Sequence, residues 1–253
     1  MIRRLHYCIP VVALSLGLAL GLALGMIEPV GALAVLLFAG WLVAQPHIPN
    51  SPWLFGTLLG ALLLAAHLLP GFSPLPLGPP QDLGGASPWQ LRISPDKAMV
   101  AALLLAWWLG RPRTDWRSIR LTLLASGACL ILVPLLALVS GVLGWQPKWP
   151  ALFLPWLLIN LGITCLAEEL IFRGLLQRAL ARHFGAAIGI GLATALFGAA
   201  HLPAGFGFAG LATLAGLGYG LAFHYSGDRL WVAVFLHGAV NSLHLLLLTY
   251  PLR

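Results

Sequence analysis

The chain has 253 residues, of which 60% are hydrophobic and only 8% charged, with a mean hydropathy of +0.93. That composition excludes a soluble globular domain, which could not cover so much apolar surface with polar groups, and places the protein in the helical membrane class. The formal charge of +7 does not point to nucleic acid, because the arginines fall in short clusters between apolar runs, the pattern of cytoplasmic loop anchoring.

Apolar stretches of spanning length predict helices over 5–26, 28–46, 51–70, 95–110, 119–144, 151–181, 185–203, 207–226 and 229–250, an all-α polytopic bundle of eight or nine spans. The first follows Met1-Ile-Arg-Arg, exceeds the core of about 7–15 residues of a signal peptide and lacks an Ala-x-Ala site, so it reads as an uncleaved span. Gly17, Gly21 and Gly25 recur every four residues, as do Ala212, Gly216 and Gly220, a spacing that lets helix backbones approach closely in lipid. Residues 71–94 carry too much Pro and Gly for a helix and form one long loop on the outer face. The fourth segment is short enough to be tilted or re-entrant, and Trp107, Trp108 and Trp116 mark a membrane boundary.

With a cytoplasmic N-terminus, the inner loops hold Arg3, Arg4, Arg111, Arg113, Arg117, Arg120, Arg178, Arg182 and Arg229, and the outer segments hold only Arg92, Lys97, Lys148 and Arg253. Nine against four favours this orientation. Arginine outnumbers lysine 12 to 2, and the Ala, Leu and Gly usage points to a GC-rich bacterial genome and an inner-membrane location. Cys8, Cys129 and Cys165 sit in apolar runs without metal-type spacing and are read as small packing residues.

The chemistry concentrates after residue 145. Ala167-Glu-Glu-Leu-Ile-Phe-Arg173 puts two adjacent carboxylates and an arginine inside an apolar stretch, where charges persist mainly by facing a bundle interior and pairing. Glu169 and Arg173 have the favourable i,i+4 order. Glu168, about 100° around the helix, is left without a local cation, so it needs either a raised pKa or partners on other helices. Phe197-Gly-Ala-Ala-His201 and His237-Gly-Ala-Val-Asn241 repeat the one-turn spacing, with small residues that leave room for a substrate backbone. For His67, His224 and His244 the plain reading is a histidine bonded to a neighbouring helix, although His244 shares a face with His237 and Asn241.

In this order on successive apolar segments, the three motifs resemble the CPBP family of intramembrane proteases, which includes type II CAAX prenyl endopeptidases and bacteriocin-processing relatives. The resemblance covers about 150–248, and divides the chain into an N-terminal transmembrane region, 1–145, and a protease core, 146–253. It implies that Glu168 is the general base on a water also held by His201, that His237 and Asn241 stabilise the oxyanion, and that Glu169, Arg173 and Phe197 support the site. The expected partners are the bilayer and a membrane-anchored protein or peptide carrying a C-terminal sorting tail, a leader or a CAAX-like end. No cofactor is expected; zinc on Glu168, His201 and His237 is the alternative. H-E-x-x-H, G-x-S-G and G-x-G-D motifs of other intramembrane proteases are absent. A proton-coupled transporter or a non-catalytic membrane partner is the rival reading, since membrane carboxylates also carry protons. A helix over 151–181 would be about 46 Å long against a core of about 30 Å, so Glu168 reaches mid-membrane only if Gln177–His183 lies at the inner interface.

Overall fold

In lipid every backbone polar group must find a partner within its own segment, and these long runs of Leu, Ala, Val and Gly satisfy that demand as helices. The computed structural model describes residues 2–85, 87–111 and 114–251, without the side chains of 2–11 and 13. Arg113 and Arg253 therefore lie outside the described residues, and Arg3, Arg4 and Cys8 among the undescribed side chains. The described residues form nine helices: α1 (Ile2–Ala23), α2 (Pro29–Val43), α3 (Asn50–Ala65), α4 (Pro95–Leu109), α5 (Ile119–Val139), α6 (Phe153–Phe184), α7 (Ala186–Ala200), α8 (Phe206–Tyr225) and α9 (Leu230–Leu247). Among those residues the sheet content is one antiparallel pair in the Pro-rich loop, β1 (Leu75–Pro76) with β2 (Arg92–Ile93).

Each predicted segment contains one helix, but several are shorter than expected. Four helices, α5, α6, α8 and α9, are long and apolar enough to cross a membrane. The 15 or 16 residues of α2, α3 and α7 give only about 22–24 Å. The expected ends overran because apolar residues continue where the backbone turns: a 3₁₀ turn over Gln45–His47 follows α2, His67 takes φ +60° after α3, and a turn over Leu202–Ala204 follows α7. Pro46 and Pro203 withhold a donor inside those two turns.

The chain divides into two compact units, the first made of Met1–Leu77, Arg92–Pro112 and Gly162–Ile171, the second of Gly78–Leu91, Arg113–Leu161 and Phe172–Arg253. In the first unit α4 packs against α1, α2 and α3. Its Val100 and Leu104 are fully enclosed. A Cβ at Gly17 would stand 2.6 Å from the Met99 methyl, so the missing side chain lets α1 close on α4. Gly25 plays a different part from the expected one: it lies past the end of α1 at φ +67°, with no neighbour within 4 Å of its would-be Cβ, and turns the chain.

In the second unit α8 lies against α5, α7 and α9. Its small residues behave as expected: a Cβ at Gly216 would meet Phe197 at 3.0 Å, and one at Gly220 would meet Gln177 Oε1 at 2.8 Å. The two described cysteines, Cys129 and Cys165, are buried thiols. At one end of this unit Asp228 accepts from Arg117 at 2.8 Å and lies 3.4 Å from Arg178, while Arg229 donates to the Thr114 carbonyl at 3.0 Å. Three loops expected on the same membrane side thus meet around a single carboxylate.

This arrangement sharpens a test of orientation. A cysteine at exposed Thr114, in a cysteine-free background, is expected to be shielded from membrane-impermeant thiol reagents in intact cells, and one at exposed Ser87 to be labelled. Gly84 is unsuitable as the outer probe, since it sits at φ +76° and its Cβ would fall 1.9 Å from Gln146 Oε1. The reverse labelling pattern would mean that a span has been miscounted.

Candidate active site

Helix α6 is not uniform. A four-residue α-helical turn, Leu166–Glu169, lies between two π-helical stretches, Asn160–Cys165 and Leu170–Gln177. Such widened turns are uncommon and recur at functional positions. Both glutamates sit on the short α turn, within the first unit. Glu169 is completely buried. Glu168 Oε1 accepts a hydrogen bond from Lys97 Nζ at 3.1 Å, and both side chains are more than four-fifths buried. The partner that Glu168 lacked on its own helix is thus a cation on α4. Charge counting along the chain had treated Lys97 only as an outer-side charge, because a pairing across 71 residues leaves no local trace.

The other motif residues belong to the second unit. His201 is the residue that closes α7, with φ −98° and ψ 1°, and its Nδ1 lies 2.8 Å from the Phe197 carbonyl oxygen. A carbonyl only accepts, so Nδ1 carries the proton and, in the neutral ring, Nε2 remains an acceptor. On α9, His237 is buried, stacked on Tyr219 at 4.7 Å and 19°, and edge-on to Phe197 at 5.9 Å and 82°. Asn241 Nδ2 donates to Asn160 Oδ1 at 3.2 Å, which ties α9 to the start of the first π-helical stretch. The space at Gly238 is not open to a substrate backbone as expected. Leu161 fills it, since a Cβ there would fall 2.3 Å from Leu161 Cδ2, and the glycine lets α9 approach α6.

Arg173 is fully buried; its Nη2 donates to the Gly216 carbonyl at 2.8 Å and its guanidinium lies 4.6 Å from the Phe197 ring and 5.3 Å from that of Tyr219. A cation over aromatic faces is stabilised by the ring quadrupole, more so when desolvated. The stack continues from these rings to His237. Phe197, His201, Tyr219, His237, Asn241 and His244 line one cavity, with about 60 Å³ of space for water, whose remaining lining is apolar. That is room enough for water.

Of the histidines given the plain reading, His67 bonds to another helix, its Nδ1 lying 2.7 Å from Asp96 Oδ2 on α4, whereas the ring of His224 meets its own chain neighbour, edge-on against Tyr225. His244 Nε2 lies 3.1 Å from the Thr249 carbonyl but also faces the cavity, so it is both a structural and a lining residue. Tyr219 and Asn160 were missed by the motif search. Each is a polar group inside an apolar run, and that was the available signal. Within the second unit no group of three or more His, Cys, Asp and Glu side chains meets as metal ligands would among the described residues.

Residues 150–243 match the model of the family described as type II CAAX prenyl endopeptidase Rce1-like. Over this segment the chain is similar to the CPBP/CAAX intramembrane protease family. All three motifs recognised in the sequence fall inside it, on helices of an integral membrane protein. No curated protein and no solved structure matches the chain.

Proposed function

We propose that the protein is an intramembrane endopeptidase hydrolysing a peptide bond in a membrane-anchored protein or peptide. One observation carries the reading: His201, His237 and Asn241 share a cavity with room for water, inside a segment matching a CAAX endopeptidase family. In the proposed reaction the Glu168 carboxylate takes a proton from water, and the water oxygen attacks the carbonyl carbon of the scissile bond. His201 holds that water through Nε2. N–H groups of His237 and Asn241 stabilise the oxyanion, and the proton passes from Glu168 to the leaving amine as the C–N bond breaks. Glu169, Arg173 and Phe197 support the site.

At the level of the whole chain the reading includes a bundle of eight or nine spans in a bacterial inner membrane, with the N-terminus cytoplasmic. It assigns membrane anchoring and positioning to residues 1–145 and the chemistry to 146–253. In a bacterial source the expected substrates are C-terminal sorting tails or leader peptides rather than prenylated CAAX proteins. Comparing the N- and C-termini of membrane proteins in cells with the wild-type chain, with the Glu168→Gln variant and with neither tests the reading. New termini found only with the wild type are expected, and identical termini in all three would sink it.

The reaction as written uses no metal. With zinc on Glu168, His201 and His237, Asn241 would act from outside the ligand shell and its loss would cost about 10–100-fold. As an oxyanion donor its loss costs about 10²–10³-fold in rate with little effect on substrate binding. Those ranges touch, so metal analysis decides: near-stoichiometric zinc that disappears on mutating His201, with activity removed by chelators and restored by zinc, would replace the metal-free mechanism and leave the protease assignment standing.

A further inference from the structure

We infer that Lys97, which lies outside the matched segment, is a positioning residue for the Glu168 carboxylate. The inference rests on the proposed role of Glu168 as general base, and assigns to the N-terminal region a part in positioning that base.

Lys97 stands in the first turn of α4, a helix that begins at Pro95, where a fixed φ suits the start and the missing N–H costs nothing. The turn is immobilised from three directions. Behind it, Met99, Val100 and Leu104 are buried in the first unit. At its start, Asp96 Oδ1 accepts from the Lys97 backbone N–H at 2.8 Å. The other oxygen of the same carboxylate meets His67 Nδ1 at 2.7 Å, and Asp96 itself is almost wholly buried. His67 itself takes φ +60° as the left-handed residue that ends α3, where the Leu68 N–H bonds back to the Leu63 carbonyl at 2.9 Å. A lysine is an unusual choice for a rigid position, since its long side chain has many rotamers to lose. Here its backbone is locked and its ammonium reaches Glu168 Oε1 at 3.1 Å.

The consequence for Glu168 is orientational. The last torsion of a glutamate is broad and two-fold, so an unrestrained carboxyl samples many directions. An ammonium fixed at Oε1 selects one of them. A general base works only within hydrogen-bond reach of the proton it takes, and a displacement of about 1 Å can cost about 10²-fold in rate. Anchoring of this kind changes turnover, whereas substrate affinity is set elsewhere.

The test uses the full chain in detergent and a membrane-anchored reporter with a fluorophore and a quencher on either side of the cleavage site found by the termini comparison. Lys97→Met, close in length but uncharged, is expected to lower kcat about tenfold or more, counted on folded protein, with KM within about twofold. Lys97→Arg is expected to recover most of the loss. A kcat for Lys97→Met close to the wild-type value, or a loss in thermal stability with no loss in kcat, would overturn the inference and leave a merely structural ion pair. If Lys97→Met fails to fold by circular dichroism, Lys97→Leu gives the same comparison, likewise without a donor. Glu168→Gln is measured alongside. If it is inactive while Lys97→Met is unimpaired, only the role of Lys97 falls. If it is active, the proposed mechanism falls and the inference with it.

Discussion

Replacing Glu168 with glutamine is expected to abolish cleavage while leaving the folded protein close to wild-type stability. The amide has nearly the same volume and its carbonyl can still accept from Lys97 Nζ, now 3.1 Å from Oε1, but it cannot take a proton from water at neutral pH. A positioned general base contributes about 10²–10⁴-fold, so residual activity should be no more than about 10⁻²–10⁻⁴ of the wild-type rate. The structural cost is the exchange of a charge-assisted hydrogen bond for a neutral one, about 1–2 kcal/mol for a pair this shielded. Turnover of the quenched reporter, measured beside thermal unfolding in detergent, checks both halves. Full activity in the variant would end the proposed mechanism, and a collapse in stability would show that Glu168 is held for folding rather than for chemistry.

The largest loss of stability is expected from Arg173→Met. Its guanidinium is fully buried, donates to the Gly216 carbonyl and covers two aromatic rings. Losing a charge-assisted hydrogen bond together with the cation–π contacts costs about 2–4 kcal/mol. Methionine can refill part of the volume but leaves the Gly216 carbonyl without this donor, and Phe197 and Tyr219, which pack on His237, lose the cation between them. Arg173→Lys should rescue poorly, because a single ammonium cannot reproduce a planar fork that bonds a carbonyl and lies over rings. Arg182→Gln, on an exposed arginine, serves as the control and should change stability by no more than about 0.5 kcal/mol. Arg173→Met unfolding within about 1 kcal/mol of wild type would refute this account of the buried stack.

What could be read from the chain alone follows from how local each determinant is. Helix positions were legible because lipid forces apolar runs into helices, and each of the nine segments contains one. Their ends were less so: Pro46, His67 and Pro203 bend the backbone while hydropathy carries on through Leu68, Leu69 and Leu202. The one-turn spacing of Phe197 and His201 survives as a contact from imidazole to carbonyl, although His201 ends the helix instead of standing on it. His237 and Asn241 were found by the same spacing, and they line the same cavity. Lys97, Asn160 and Tyr219 were not found, since what makes each matter is a residue tens of positions away. The widened turns of α6 were also invisible, because a periodicity of 3.6 is assumed before any face is assigned.

The limits of the family match cut through the wall of the cavity. A fragment trimmed to 150–243 would retain every motif residue, yet Val133, Pro134 and Ala137 of α5, Leu143 in the turn after it, and His244 and Leu248 beyond the other limit all line that space. Without them one side of the cavity would lose its wall, and in the proposed reaction acyl chains entering there would displace the water to be consumed. The smallest piece able to carry out the proposed reaction is therefore expected to be longer than the matched segment, and a relative sharing the motifs but not the aliphatic face of α5 would need some other means of keeping lipid out.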